Sequence, residues 1–411
     1  MSQQNLFLFA DWVTTESLRQ LLNNLTVASM FNTDYNKEFT REFAIGESVR
    51  VKLPQRFTVR DGLAYTPQPV NRQYTTVNCN QIFGVDFEWD SVESALKAER
   101  GRELFDREYI APAMSQIAQE IDSRAAQWAY LNTNNIVGVL GTNPTALSTY
   151  NQARQKLVEN GCPPGKKAMI ISPGMNVSIG SAVSTLFNPT AVIADAFKSG
   201  VLGQGAGFDW YESMSLYSHT AGTWAGAVTT AAAVDGATSL SITGTSGDTF
   251  KAGDVISIGS VNNVNPKTRR TTGSAKLFVV TQDLTATAGP DTLYISPAIY
   301  GPGSQYQNVD ALPAASAALT LWPGTSSPSA KSGINGLALH GDAFALVGVP
   351  LEVPKAVEIG AQKRDPETGI AVRFVRMFDP VQSKMVNRFD VLLGFGNLYA
   401  DNCAVRVASS T

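Results

Sequence analysis

The chain has 411 residues, of which 44% are hydrophobic and 16% charged, a balance typical of a folded protein and unlike a disordered one. One core rarely extends over such a length, so two or more structural units are expected. The net charge of −3 provides no general basic surface of the kind that nucleic-acid-binding proteins carry, and no apolar run reaches the roughly 18 residues of a membrane helix.

The first predicted element is a short amphipathic helix with a cap at Thr14 or Thr15. Such a helix is unstable alone in water and must dock on something. The pattern leaves open whether it docks on its own domain or extends as an arm onto a neighbouring subunit. The apolar and small side chains that recur at helical spacing are Leu18, Leu21, Leu22, Leu25 and Ser29.

A long β-hairpin is predicted next. Residues Ile45–Leu53 and Tyr74–Phe87 alternate between apolar and polar side chains, as half-exposed strands do, and Asp61-Gly62 marks a turn between them. An extended hairpin with unpaired edges tends to pair with another chain, which points to assembly.

Residues 90–131 then predict a long helix with one buried stripe, capped by Asp90 or Ser91. Pro112 should kink it or split it in two. The following segment, 134–217, alternates helix and strand: a helix over Thr145–Asn160 with Gly161 at its C-terminal cap, and a buried strand over Lys167–Ser172.

The composition changes at about residue 213, because no glutamate occurs from Ser213 through Leu351 and small and β-branched residues dominate. This pattern predicts a separate all-β barrel or sandwich between about 220 and 330. Its predicted strands are Ser239–Thr243, Asp254–Ile258, Lys276–Thr281, Thr292–Ser296 and Leu319–Trp322, and further strands follow at Leu346–Val353, Ala371–Phe378 and Lys384–Leu393.

The polar loop Asn262–Ser274 within this module carries the cations Lys267, Arg269 and Arg270. Clustered cations on a loop bind phosphate in some proteins. On an exposed insert of a chain with little net charge, a contact with acidic groups of a neighbouring chain is the favoured interpretation.

The residues offer little catalytic chemistry. Neither His219 nor His340 lies in a hydrolase or metalloprotease motif, and His340-Gly-Asp342 lacks a third metal ligand at useful spacing. The three cysteines, Cys79, Cys162 and Cys403, match neither a disulfide framework nor a paired zinc motif, which suits a reducing cytoplasm. We therefore expect a protein that is not an enzyme, with no catalytic residue, no metal and no cofactor.

The order of elements resembles the tailed-bacteriophage major capsid proteins with the Hong Kong 97-like fold. Within these, it is most similar to the Salmonella phage P-22-type coat proteins, which carry an inserted β-domain. The segments that carry the resemblance are Ala252–Ile258, Val264–Thr268, Phe278–Val280, Leu339–Ala345, Pro350, Pro354, Gly369, Arg373 and Asn387–Gly394.

The resemblance implies an α+β fold in six parts. They are an N-terminal arm (1–44), an extended loop (45–88), the spine helix of a peripheral domain (89–133), an axial domain (134–217), an inserted β-barrel domain (218–332) and a return to the axial and peripheral domains (333–411).

The resemblance also implies a subunit that self-assembles into pentamers and hexamers of an icosahedral shell around double-stranded DNA, without sequence-specific binding. It implies assembly in the host cytoplasm, scaffolding and portal proteins as partners, and no membrane association. Expected contacts with neighbouring subunits are Lys267, Arg269, Arg270, Asp61, Tyr65 and Arg72, and expected scaffold contacts are Asp11 and Glu16. The alternatives are an encapsulin-like nanocompartment shell and a surface- or carbohydrate-binding protein that uses the β-module.

Overall fold

The structure is a computed structural model. It describes residues 3–34, 48–53, 74–90, 106–183 and 204–410, parts of 56–70, and omits 225–226, 288, 323–329, 356, 358 and 382–383. Of the expected contact residues, Asp61, Tyr65 and Arg72 lie outside the described residues.

The described helices lie mostly before residue 184, and only strands are described from 204 to 397. The helices are α1 (Gln3–Asn24), α2 (Ala111–Asn132), α3 (Leu147–Glu159), α4 (Pro173–Val183) and α5 (Ala400–Cys403), with a 3-10 turn at Ala28–Met30 and a π turn at Asp106–Ile110. The strands are β1 (Ser48–Lys52), β2 (Tyr74–Asp90), β3 (Ile136–Val137), β4 (Lys167–Ile171), β5 (Gln204–Gly205), β6 (Phe208–Glu212), β7 (Ser218–Thr220), β8 (Ala227–Thr229), β9 (Ala237–Gly244), β10 (Thr249–Phe250), β11 (Val255–Val264), β12 (Thr271–Val280), β13 (Leu284–Thr285), β14 (Asp291–Ile299), β15 (Ala318–Leu321), β16 (Ser332–His340), β17 (Phe344–Gly348), β18 (Ile359–Arg364), β19 (Ala371–Asp379), β20 (Lys384–Asn397) and β21 (Ala404–Ala408).

The chain folds into two compact units. The first unit comprises Met1–Lys52, Tyr74–Ala125 and Phe344–Leu398, and the second comprises Leu53–Gln73, Ala126–Ala343 and Tyr399–Thr411.

The first unit is built on an antiparallel sheet with strand order β1-β2-β20-β19-β18, in which β17 also pairs with β20. The long strands β2 and β20 stay paired from Asn78 opposite Phe395 to Asp90 opposite Lys384, with one register shift. The buried rings of Phe374 and Phe389 pack 5.0 Å apart, between centroids, in its core. The pairing of β1 with β2 confirms the two strands of the predicted hairpin.

Helix α1 docks on this sheet of its own chain, against β18 and β19. Its buried face includes Val13, Leu18 and Leu21, so docking on its own domain is the interpretation that the structure supports. The predicted cap was wrong, because α1 begins at Gln3 and Thr14 lies inside it. There the Thr14 hydroxyl donates to the Ala10 carbonyl oxygen at 3.0 Å, as a threonine inside a helix does, whereas a cap side chain would accept from a backbone N–H.

The interruption predicted at Pro112 is confirmed. A π turn at Asp106–Ile110 directly precedes α2, which begins at Ala111, so the change of helix type lies next to Pro112, whose missing N–H removes a helical hydrogen bond. The start predicted at Asp90 or Ser91 cannot be compared, because residues 91–105 lie outside the described part of the chain.

The second unit contains a mixed sheet of strand order β3-β21-β16-β4-β6-β5, with β7 also paired to β16. Helices α3 and α4 bury Tyr150, Leu157 and Ile179 in its core. Helix α3 and strand β4 confirm the predictions for 145–160 and 167–172.

A closed six-stranded barrel completes the second unit, in the order β11-β12-β14-β9-β8-β15. All five strands predicted in this segment are present, and β8 was not predicted. Its interior is a separate apolar cluster around Trp224 and Phe250, whose rings stack with centroids 4.6 Å apart.

None of the helices described here is long and apolar enough to span a bilayer.

Candidate functional site: the barrel loop and the barrel–sheet junction

The predicted cationic loop is a tight connection, residues 265–270, between β11 and β12. We call it the barrel loop. Asn265 organises it: its side-chain oxygen accepts hydrogen bonds from the backbone N–H groups of Lys267 (2.9 Å) and Thr268 (3.1 Å). Its backbone N–H donates to the Arg270 carbonyl at 3.0 Å, which closes the turn. Asparagine favours such turns because its short side chain reaches its own backbone, so the barrel loop has a defined shape.

The barrel loop rests on the C-terminal end of α3. The Asn265 side-chain amide donates to the Glu159 carbonyl oxygen at 2.7 Å, and the Asn263 amide donates to the side-chain oxygen of Asn160 at 2.7 Å. The left-handed Gly161 (φ +74°) that ends α3 lies against Pro266. The bond to Glu159 satisfies a carbonyl group that a helix end leaves unpaired, and these contacts fix the loop on α3 of its own chain.

The three cations of the loop have different surroundings. Arg269 has positive φ (55°) and donates to the carbonyl oxygens of Ser304 (3.2 Å) and Gln305 (2.8 Å). Burial and the neighbouring Arg56 lower the pKa of Arg269. Lys267 and Arg270, in contrast, are exposed. Arg269 therefore shapes the loop, and the other two cations are displayed by it.

A buried ion pair connects the barrel to the sheet region. The Lys276 ammonium, on β12, lies 2.7 Å from a carboxylate oxygen of Asp401, on α5, and the Lys276 side chain is only 3% exposed. The Asn134 amide donates to the same carboxylate at 2.7 Å and also to the Leu277 carbonyl at 2.8 Å. Burial opposes ionisation of Asp401, but Lys276 and Asn134 outweigh it and lower the pKa of this carboxyl group.

A second buried network lies nearby. The Arg406 guanidinium, on β21, is fully buried, donates to the Gly253 carbonyl at 2.7 Å and lies 3.9 Å from the centre of the Tyr130 ring. The Asp254 carboxylate lies 2.9 Å from His219 and accepts a hydrogen bond from the Lys251 N–H, also at 2.9 Å. His219 is thus the partner of the buried Asp254 carboxylate, which directly precedes the barrel strand β11. Together with the Lys276–Asp401 pair, these contacts form what we call the junction.

The family of the chain follows from the whole sequence. Residues 46–401 match the model of the P22 coat protein family (gene protein 5), which is most of the chain. The chain belongs to this family. It is a major capsid protein of a tailed bacteriophage, with an α+β, Hong Kong 97-like fold, and it forms the icosahedral shell of the virion. The nanocompartment and surface-binding alternatives are not favoured.

Several solved capsid structures are similar to this coat protein, with low TM-scores. A structure from Mycobacterium phage Che8 is 12% identical, covers 93% of this chain and 90% of its own, and gives a TM-score of 0.48. The capsid structure of cyanophage P-SCSP1u is 10% identical, with 89% and 84% covered and a TM-score of 0.42. The CUS-3 coat protein I-domain is 30% identical over 23% of this chain and 93% of its own, with a TM-score of 0.19. No curated protein matches the chain.

The expected scaffold contacts of the coat protein lie on α1. Asp11 is exposed, and its carbonyl accepts the Thr15 hydroxyl at 2.6 Å. Glu16 accepts hydrogen bonds from Arg19, which lower the pKa of Glu16. The structure therefore leaves Asp11 as the more available carboxylate of the two.

Sequence reasoning missed one group of residues in the coat protein. Cys162, His340 and Cys403 approach each other, although they are far apart along the chain. The sequence showed His340 without a third metal ligand because the fold supplies both cysteines from other elements. No signal in the sequence pairs the two cysteines: Cys162 follows the predicted helix over Thr145–Asn160, but Cys403 lies in no predicted element.

Proposed function

We propose that neighbouring subunits of the shell contact each other through the barrel loop, with Lys267 and Arg270 facing acidic groups of the adjacent subunit. The observation that supports this proposal most is that the three cations have different roles. Arg269 and Asn265 hold the loop on its own chain, while Lys267 and Arg270 remain exposed. A rigid loop with two displayed charges loses little conformational entropy on binding.

Each such ion pair contributes less than about 1 kcal/mol because it is exposed to water and salt. The contacts therefore set the register of subunits more than the strength of the shell. Their sum over many copies is still significant, since repeated weak contacts in a closed assembly act together. Assembly through the loop should therefore weaken as the ionic strength rises.

The remaining parts of the proposal rest on membership of the family. The shell consists of pentamers and hexamers, and the extended loop containing Asp61, Tyr65 and Arg72 reaches a neighbouring subunit. The six domains keep the boundaries expected from the sequence. The acidic chain, with net charge −3, confines double-stranded DNA without gripping its bases.

Assembly takes place in the host cytoplasm with a scaffolding protein and a portal protein as partners. Asp11, with Glu16 beside it, receives the basic part of the scaffolding protein. An Asp11→Asn variant tests this contact by its binding to scaffolding protein in sedimentation, with Glu16→Gln as the second variant. Binding that is unchanged in both variants contradicts the scaffold contact and leaves the barrel-loop proposal intact.

The central experiment is electron microscopy of particles from cells that express the coat protein with its neighbouring phage genes. The test variant is Lys267→Glu/Arg270→Glu, and the matched control is Lys166→Glu/Lys355→Glu, which reverses two other exposed lysines. We expect closed shells for the wild type and the control, and aberrant or no shells for the test variant, whose monomer should melt like the wild type. Normal shells from the test variant would refute the role of the loop.

A further inference from the structure

Two thiols and an imidazole converge in the second unit of the coat protein. Cys162 follows α3, His340 ends β16 and Cys403 ends α5, and their ligand atoms all lie within 4.8 Å of one another. Cys403 is 1% exposed and His340 is 8% exposed, whereas Cys162 is half-buried. We call these three residues the thiol–imidazole cluster.

The backbone fixes the position of Cys162. Its N–H donates to the Leu157 carbonyl at 3.0 Å, and the Gly161 N–H donates to the Val158 carbonyl at 3.0 Å. This pair of bonds, with Gly161 left-handed, is the Schellman motif that ends α3. Cys162 is therefore held at a defined place beside the helix end.

The other two members are fixed by the sheet. His340 stands opposite Lys167 on β4, and its neighbour Leu339 stands opposite Ala404, the residue after Cys403. The Cys403 N–H donates to the Tyr399 carbonyl at 2.8 Å. Three ligands from three elements are thus positioned by backbone hydrogen bonds, which is the preorganisation that a metal site needs.

The chemistry of the cluster suits a borderline-soft cation. Cysteine sulfur and histidine nitrogen are the ligands that zinc prefers, and two sulfurs bound to one tetrahedral zinc lie about 3.8 Å apart. The ligand atoms of the cluster, at 4.8 Å or less, reach that geometry with a shift of about 1 Å.

We propose that the thiol–imidazole cluster is a structural metal site for Zn²⁺ or a cation of similar softness, with three protein ligands. The Asp342 carboxylate, 3.5 Å from Nδ1 of His340, or a water molecule takes the fourth position. Bound metal joins the end of α3, the end of β16 and α5, and releases the thiol protons to solvent.

The test uses the full-length coat protein, purified with a reductant and stripped with EDTA. After one equivalent of Zn²⁺ is added and free metal is removed by gel filtration, bound zinc is measured by mass spectrometry. Co²⁺ in place of Zn²⁺ gives a thiolate-to-metal absorption band if the sulfurs are ligands. We expect about one zinc per chain, a sulfur–cobalt band, and a higher thermal midpoint with Zn²⁺ than without.

The test variants are Cys162→Ser and His340→Asn, and Cys79→Ser is the matched control. Cys79 lies on β2 in the first unit, and burial raises its pKa to about 12, so it is a half-buried cysteine outside the cluster. Zinc and the cobalt band should disappear in both test variants and persist in the control. Asp342→Asn distinguishes the fourth ligand: weakened zinc binding identifies Asp342, and unchanged binding identifies water.

Less than about a tenth of an equivalent of zinc on the reduced wild-type protein overturns the proposal, whatever the variants do. So does equal binding by Cys162→Ser and the wild type. A non-reducing mass two hydrogens lower, with no metal taken up after reduction, would assign the pair of cysteines to a disulfide instead and would also overturn it.

Discussion

The buried pair at the junction responds unequally to removal of either partner. Lys276 is 3% exposed and Asp401 is 27% exposed. In an Asp401→Asn variant, the ammonium stays buried without a counter-charge, which costs about 3–5 kcal/mol of folding free energy. This loss of folding free energy has an upper limit of about 4.6 kcal/mol, which is the free energy needed to deprotonate a free lysine at pH 7. A buried lysine whose charged form cost more than this would lose its proton instead.

The Lys276→Met variant should lose less, about 1–2 kcal/mol. The methionine fills most of the space of the lysine stem, and the Asp401 carboxylate keeps both the Asn134 hydrogen bond and its contact with water. The double variant should be no less stable than Asp401→Asn alone, since the stranded ammonium is gone. A favourable coupling energy of more than about 1 kcal/mol is therefore expected from the cycle.

Urea unfolding of the soluble coat protein, followed by tryptophan fluorescence at pH 7, measures these differences. The control is Asp283→Asn, which breaks the exposed ion pair with Lys251 on the same barrel and should cost less than about 1 kcal/mol. The reasoning would be refuted by an Asp401→Asn variant whose stability is within about 1 kcal/mol of the wild type. It would also be refuted if Lys276→Met were less stable than Asp401→Asn.

The same pair sets a pH dependence. The folded-state pKa of Asp401 is lowered, so the carboxylate stabilises the fold at any pH above its unfolded pKa of about 3.9. That stabilisation is lost as the pH falls through the lower, folded value. The gap between the wild type and Asp401→Asn should stay constant from pH 5 to 7 and narrow below about pH 4.

Three further predictions concern Lys156 and Gly253 in the second unit and Asp122, which binds the segment that follows α1. Burial lowers the pKa of Lys156 to about 8, and a lysine with a depressed folded pKa gains stability as the pH rises from that value towards its unfolded value of about 10.4. The urea midpoint of the wild type should therefore rise relative to that of Lys156→Met between pH 8 and 10. A constant difference between the two midpoints would contradict this. Gly253→Ala should cost more than about 2 kcal/mol in thermal unfolding, because φ is +100° and the new Cβ would lie 2.8 Å from the Tyr130 ring, whereas a neutral result would mean that the backbone relaxes. Asp122→Ala should free the segment after α1, whose N–H groups at Thr26 and Ala28 bond to this carboxylate at 2.8 and 2.9 Å, and hydrogen exchange there should rise by at least tenfold.

The elements with a regular pattern could be predicted from the sequence. Strands of the barrel alternate or carry β-branched runs between turn residues, and α3 shows both its apolar stripe and its terminal Gly161. Strands β16 and β21 were missed because they lie in the interior of a sheet. Strand β21, Ala404–Ala408, is buried at every position, so it shows no alternation.

The start of α1 illustrates a different failure. Thr14 and Thr15 are good cap residues, and a cap is what local chemistry favours at that position. In the fold, the helix continues through them because Ala10 and Val13, which precede them, are buried in a helix that packs against β18 and β19. Tertiary packing of one helix face outweighed the capping preference of the two threonines, and the sequence pattern did not indicate this.

The sequence predicts the charge of the contact residues but not the separate role of each one. The sequence shows three cations in the barrel loop, but only the fold separates Arg269, which bonds to Ser304 and Gln305, from the exposed Lys267 and Arg270. The partners of Arg269 are backbone carbonyls, which carry no signature in the sequence. The same holds for the thiol–imidazole cluster, whose members come together only through the register of β16.

The barrel and the sheet of the second unit have separate apolar cores, one around Trp224 and the other around Tyr150. Among the residues that the structure describes, a small apolar cluster that includes Val255 and Leu277 lies between them. Most of what orients the barrel is therefore polar and directional: the Lys276–Asp401 pair, the Asn265 bond to α3 and the Arg406 bond to Gly253. Directional bonds fix an angle that apolar contact alone leaves loose. Because the barrel loop rides on this barrel, a junction variant that leaves the barrel folded should still misplace the two displayed charges and impair shell assembly.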